Sequence, residues 1–161
     1  MKLLVDTHAF LWIIHGDARL SQGGREAYLD RRNDLFLSSA SIWEIVIKVS
    51  LGKLEMVSGW MDTIRHEMDV SGVRLLPIEP DHCARLSSLP FHHRDPFDRI
   101  LIVQALVGGM STVTADCKLA AYEPACVWYH LVHYCPGQAN LRLKVLLCPS
   151  SSHRRTNRST A

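Results

Sequence analysis

From Tyr129 to the C-terminus there is no acidic residue, although five basic ones stand there: Arg142, Lys144, Arg154, Arg155 and Arg158. The formal net charge of +2 is therefore an average over two unlike parts, because residues 1–128 hold 13 basic and 16 acidic side chains, a net of −3. So mild a charge argues against nucleic-acid binding by bulk electrostatics and leaves only local contacts for that purpose. No Cys-x-x-Cys pair occurs among the five cysteines (83, 117, 126, 135 and 148). Their odd number and scatter argue against a disulfide framework or a zinc site, and free thiols in a reducing compartment fit better. No apolar run is long enough to span a bilayer, since the longest, Ile100 to Met110, is broken by Gln104 and two glycines. The opening MKLLVDTHAF has one lysine and a short apolar run before an acid, unlike a signal peptide. A cytoplasmic protein without a membrane partner is expected. Also missing are a glycine-rich phosphate loop, an H-E-x-x-H pair and a serine–histidine arrangement.

What is present is enough for one domain with a core: 161 residues, 47% hydrophobic and 21% charged. KLLV (2–5), DLFLS (34–38), VRLLPI (73–78), STVTAD (111–116) and ACVWY (125–129) read as short strands. Pro77 moves the third towards a sheet edge or a strand end. Helical patterns lie between them. The clearest are SASIWEIVIKVSLGKL (39–54), opened by serine caps, and PFDRILIVQALVGG (96–109), with Pro96 at its first position and two closing glycines. HAFLWII, SQGGREAYLDRR (21–32), SGWMDTIRHEMD (58–69), PDHCARLSSL (80–89) and a turn or two at CKLAAY complete the set. Strands alternating with helices predict an α/β fold with a mostly parallel sheet covered on both faces. After Tyr129 the pattern stops. Residues 130–161 form a basic, Ser/Arg-rich extension that is expected to be poorly ordered.

Two acids, Asp6 and Asp116, each close a predicted parallel strand. Ligands of open α/β sheets bind outside the carboxyl ends of the strands, so these acids share one crevice if their strands are neighbours. Either one also makes a good helix cap. Glu44 lies on the face of its helix that carries Ala40, Ile47 and Leu51. It pairs with Lys48 at i,i+4, or it answers to a cation, because a carboxylate on an apolar stripe is costly alone. In HHRDPFDRILIVQA (92–105) two aspartates flank Pro96. Asp95 falls at the N-cap. Asp98 falls on the packed face above Leu101, Ile102 and Ala105, and is the better chemical candidate, although it is also placed to reach back to the Asp95 N–H. His92 and His93, adjacent and so pointing apart, read as surface or substrate-facing side chains and not as metal ligands. If Asp6, Glu44, Asp98 and Asp116 converge, they cannot all remain ionised without a cation. Hard oxygen donors select Mg²⁺ or Mn²⁺, whose phosphoryl chemistry is the activation of water against a phosphodiester.

LLVDTHAFLW, LSSASIWEIVIKVSLGKL, HHRDPFDRILIVQALVGG and TVTADCKLAAY, in this order and spacing, resemble the PIN-domain ribonucleases, and more narrowly the VapC-type toxins of bacterial and archaeal toxin–antitoxin pairs. The resemblance covers about residues 1–128. It implies a three-layer α/β/α sandwich over residues 1–129 and Mg²⁺- or Mn²⁺-dependent endonucleolytic cleavage of RNA. It places the four family acids on Asp6, Glu44, Asp98 and Asp116. Thr114 matches the family's hydroxyl before the fourth acid, with Thr7 and the cap Asp95 in supporting places. It further implies a cognate antitoxin that wraps the chain and a homodimer. The C-terminal 30 or so residues depart from the family pattern and read as an altered reading frame or an appended tail. The alternatives are a PIN-fold binding or regulatory module without turnover and, last, an aspartate-nucleophile phosphatase. The latter would want an acid two residues after Asp6, where His8 stands.

Overall fold

Leu3, Leu4 and Val5 have almost no solvent-accessible surface, because the strand they form is covered from both sides. The computed structural model describes residues 1–116, 119, 122 and the backbone of 126–128. Strands β1 (Lys2–Val5), β2 (Asp34–Ser38), β3 (Arg74–Leu76), β4 (Ser111–Thr114) and β5 (Cys126–Trp128) form one sheet in the order β3-β2-β1-β4-β5. Every neighbouring pair is parallel. Strand β3 stops at Leu76 on the sheet edge, next to Pro77, which has no N–H to donate to a ladder.

Parallel neighbours need crossovers, and helices supply them. Helices α1 (Thr7–His15) and α2 (Gln22–Leu29) join β1 to β2; α3 (Ser39–Ser50) and α4 (Trp60–Ser71) join β2 to β3; α5 (Pro80–Ser87) and α6 (Pro96–Gly108) join β3 to β4. Side chains of a strand alternate between faces, and here the alternation divides the core. Leu3 and Val5 pack with Phe10, Ile45 and Ile64 from the helices of the first two crossovers. Leu4 packs on the opposite face with Leu101 and Ala105 of α6 and with Met110. The result is the three-layer α/β/α arrangement that the alternation of strands and helices predicted. Each fully buried Leu or Phe stabilises it by about 1.5–3 kcal/mol.

The chain runs outward from β1 to β2 and β3, then returns to place β4 on the other side of β1. The order therefore reverses between β1 and β4, whose register pairs Val5 with Val113. A crevice opens at the carboxyl ends of strands at such a reversal. Helix α6 enters this region behind Asp95, whose side chain accepts the Phe97 N–H at 2.9 Å, and leaves through Gly109, whose φ of 58° suits glycine. Most of CKLAAY and all of residues 130–161 lie outside the described residues.

Candidate active site

Asp6 follows the last residue of β1 and caps α1, accepting the His8 N–H at 3.3 Å through Oδ1. Its other oxygen, Oδ2, accepts the Thr114 hydroxyl at 2.8 Å. The same Thr114 oxygen accepts the Asp116 N–H at 3.0 Å. One buried hydroxyl at the end of β4 thus ties together the two acids that end adjacent strands. Asp6 thus caps α1 with one oxygen and accepts from Thr114 with the other.

Asp98 is the third residue of α6, and its carboxyl retains 20% of its exposure. It is pushed up to about 7, first by burial and then by the negative charge of Asp6, with His93 acting in the opposite sense and Asp95 and Asp116 adding to the rise. Asp6 is also raised, by burial above all, against the Thr114 hydrogen bond. The charges of Asp6 and Asp116 both act on Asp98, and that of Glu44 acts on Asp6, so the four carboxyls lie within electrostatic reach of one another. Glu44 is buried on α3, yet its Oε1 meets the Lys48 Nζ at 2.5 Å, so the i,i+4 pair exists. Lys48 also lies 3.2 Å from the His8 Nε2.

The reading of His93 as a surface side chain is corrected here. His93 is only 8% exposed, with its ring between two of the acids. Its Nε2 is 3.1 Å from the Asp116 Oδ2 and its Nδ1 3.3 Å from the Asp98 Oδ2. One ligand atom from each of His93, Asp98 and Asp116 lies within 4.8 Å of the others. Adjacency set the two rings apart but did not say which one is buried: His92 is exposed and stacks edge-on against Tyr122, while His93 turns inward. The available signal was a histidine two residues before a capping aspartate, within reach of the helix start. His93 also takes the Asp95 N–H on its Nδ1 at 3.1 Å, so that donor is not reserved for Asp98.

The donor set suits a hard divalent cation. Two carboxyls whose ionised forms are penalised by burial need positive charge to ionise together. The Thr7 hydroxyl beside Asp6 is buried with no hydrogen-bond partner among the described residues. Oxygen donors of this kind fit Mg²⁺ or Mn²⁺. Asp98 and Asp116, with the His93 ring beside them, could hold such an ion, while Glu44 is engaged by Lys48. Around His8 and Lys48, the neighbours of Asp6 and Glu44, lies a cleft of about 480 Å³ that is also lined by Trp12, His15, Asp17, Arg19, Lys53 and Glu55. Arg19 is held there by Asp17 and lies 5.2 Å from the Trp12 ring centroid.

A comparison with solved structures finds a chain of the Rickettsia felis VapBC2 assembly, determined bound to a DNA fragment from its promoter. It is 15% identical, covers 78% of this chain and 96% of its own, and superimposes with a TM-score of 0.58. At that identity the likeness concerns the fold. No curated protein matches the chain. The family model of the PIN domain matches residues 3–123, which include all four acids, His93 and Thr114, and on that match the chain belongs to the PIN domain family.

Proposed function

We propose that the chain is a Mg²⁺- or Mn²⁺-dependent endoribonuclease, the toxin of a toxin–antitoxin pair. One observation carries the reading: Asp6 and Asp116, at the ends of adjacent parallel strands and joined through Thr114, share their site with Asp98, whose carboxyl is pushed up to about 7. A divalent cation bound there would offset phosphate charge and make water a better nucleophile. The protein's own part is to keep the carboxylates pointed at one place, to exclude bulk water around Asp6, and to receive a polyanion. Receiving the polyanion falls to the cleft in which Lys48, Lys53 and two histidines stand together with Asp17 and Glu55. Trp12 offers an aromatic face within it, suited to an unpaired base. Incubating the full chain with end-labelled single-stranded RNA, duplex RNA and DNA, with Mn²⁺ or with chelator, tests this. Internal cleavage of RNA that needs the metal and vanishes in Asp98→Asn supports it; no cleavage of any RNA sinks it.

An antitoxin partner and a homodimer complete the proposal. The Rickettsia relative is a VapBC2 assembly on its promoter DNA, and among the described residues no helix here is long and apolar enough to cross a membrane. A second copy has an apolar surface to cover on α3, where Trp43 is 59% and Val46 40% exposed, with Phe97 edge-on against Trp43. Sedimentation of the chain with and without Trp43→Glu tests the dimer. We assign the nuclease to residues 1–129, and a chain ending at Tyr129 is expected to keep fold and activity. The competing reading, a binding module without turnover, has one observation in its favour: Lys48 on Glu44 and the His93 ring against Asp98 and Asp116 already engage three of the four acids. Calorimetric titration with Mn²⁺ separates the two, since a silent module need not bind the ion.

A further inference from the structure

We propose that His93 is a positioning residue of the acidic site, a neutral imidazole that holds the Asp116 carboxylate through its Nε2–H and leaves Asp98 available to a cation. This rests on the nuclease reading for its purpose, but the geometry stands separately. His93 sits in the segment between α5 and α6, and that segment is secured from two sides. Arg99, a buried guanidinium, donates to the carbonyl oxygens of Pro90 at 2.8 Å, Leu89 at 3.0 Å and Leu86 at 3.4 Å. The Tyr122 hydroxyl donates to the Pro90 oxygen at 2.9 Å and accepts the His93 N–H at 2.6 Å. A charged group buried among three carbonyls and a phenol spent on the backbone make this a rigid mount.

The ring is oriented by a donor that cannot reverse its role. The Asp95 N–H points at Nδ1 from 3.1 Å, and a backbone amide only donates. Nδ1 must then be the unprotonated nitrogen, which places the single proton of a neutral ring on Nε2. Nε2 faces the Asp116 Oδ2 at 3.1 Å and donates to it. The 3.3 Å approach of the Asp98 Oδ2 to Nδ1 is a hydrogen bond only while Asp98 is protonated. With its one proton on Nε2, the ring donates to Asp116 and has none to give to Asp98. The imidazole therefore separates two acids that would repel, fixes one, and frees the other. Asp95 gains a second role, since its side chain caps α6 and its N–H sets the tautomer of His93. Hydrogen bonds of this sort to ligating groups are worth about 10–100-fold in metal affinity.

The test uses the full chain and Mn²⁺ as the probe, with three variants: His93→Ala, His93→Gln, whose amide can still donate towards Asp116, and His93→Phe, which fills the space without donating. Mn²⁺ affinity by calorimetry, thermal stability without metal, and kcat and KM on RNA are read for each. Expected are Mn²⁺ binding weakened about 10–100-fold in the Ala and Phe variants, a fall in kcat with RNA KM changed little, and substantial recovery in His93→Gln. Wild-type Mn²⁺ affinity in a folded Ala or Phe variant overturns the proposal, whatever its melting temperature, and so does a Gln variant no better than Phe. Nitrogen-15 spectra of the ring in the wild-type chain give a second, independent readout that needs no metal. An Nε2–H tautomer is expected, and an Nδ1–H tautomer overturns the proposal. If the wild-type chain binds no Mn²⁺ while the ring is the Nε2–H form, it is the nuclease reading that fails, and with it the purpose assigned to His93, while the hydrogen bond to Asp116 stands.

Discussion

The Thr114 hydroxyl donates to the Asp6 Oδ2 at 2.8 Å, across the junction of two parallel strands. Among the groups that act on Asp6 it gives the largest opposition to burial. Thr114→Val keeps the shape and removes the donor. The buried carboxylate then loses a partner, which costs about 1–3 kcal/mol, and Asp6 is raised further. Denaturant unfolding at pH 8 and Mn²⁺ titration should both register this, the first as a lower midpoint and the second as weaker binding. Thr114→Ser should restore both. A valine variant with wild-type midpoint and affinity would show that the hydroxyl is incidental.

Asp95 and Asp98, three residues apart, should respond oppositely to substitution. Asp95→Ala removes a helix cap and is expected to cost about 1 kcal/mol of stability, while leaving Mn²⁺ bound. Asp98→Asn removes a carboxylate whose ionised form the fold penalises. At pH 8 without metal it should stabilise the chain, by about 1–3 kcal/mol after allowing for partial exposure, and it should abolish Mn²⁺ binding and cleavage. Loss of cleavage in a folded Asp95→Ala protein together with retention in Asp98→Asn would reverse the assignment.

Much of this was legible in the sequence because the relevant patterns are local. Short apolar runs marked the strand positions, and Pro96 and the glycines at 108 and 109 bracketed α6. The parallel reading followed from strands alternating with helices. Two things were not legible. Helix α6 has no single packed face, since every residue from Arg99 to Ala105 is buried. What distinguishes Asp98 from Asp95 is its place inside the helix, near Asp6, a relation set by the β1–β4 pairing. The inward turn of His93 was hidden for a similar reason. It depends on Arg99 and Tyr122 fixing a loop backbone, and no periodicity reports a loop's orientation.

The raised acids give the metal-free chain a signed pH dependence. Asp98 keeps its proton in the fold until about pH 7, whereas an unfolded chain releases it near 4. Between those values the folded state binds more protons, so stability falls as pH rises through that window and its contribution is lost above about 7. Asp6, also raised, acts in the same direction. A divalent cation prefers the ionised form, so its affinity should climb to about pH 7 and then level off. Urea midpoints in chelator at pH 5 and pH 8, repeated with Mn²⁺, check both halves. Asp98→Asn is the control, and its midpoint in chelator should vary less over this range. Equal slopes for the wild type and Asp98→Asn would mean that Asp98 is not the group responsible.

On the proposed nuclease reading, the RNA strand is expected to run along the cleft at His8 and Lys48. Lys48 is engaged by Glu44, and Arg19 by Asp17. Lys53 lines the same cleft, is exposed, and has no ion pair among the described residues. A phosphate contact is therefore best sought at Lys53. Its replacement by alanine removes one charge without touching an acid or the helix that carries Glu44. The expected result is a KM for single-stranded RNA raised several-fold, with kcat, Mn²⁺ affinity and melting temperature kept. The dependence of log KM on log salt should become shallower by about 0.7, the counterion share of one phosphate on a single strand. A change in kcat with constant KM would mean that Lys53 acts on the acids and not on the strand. Unchanged KM and salt slope would mean that the RNA leaves the acidic site by another route.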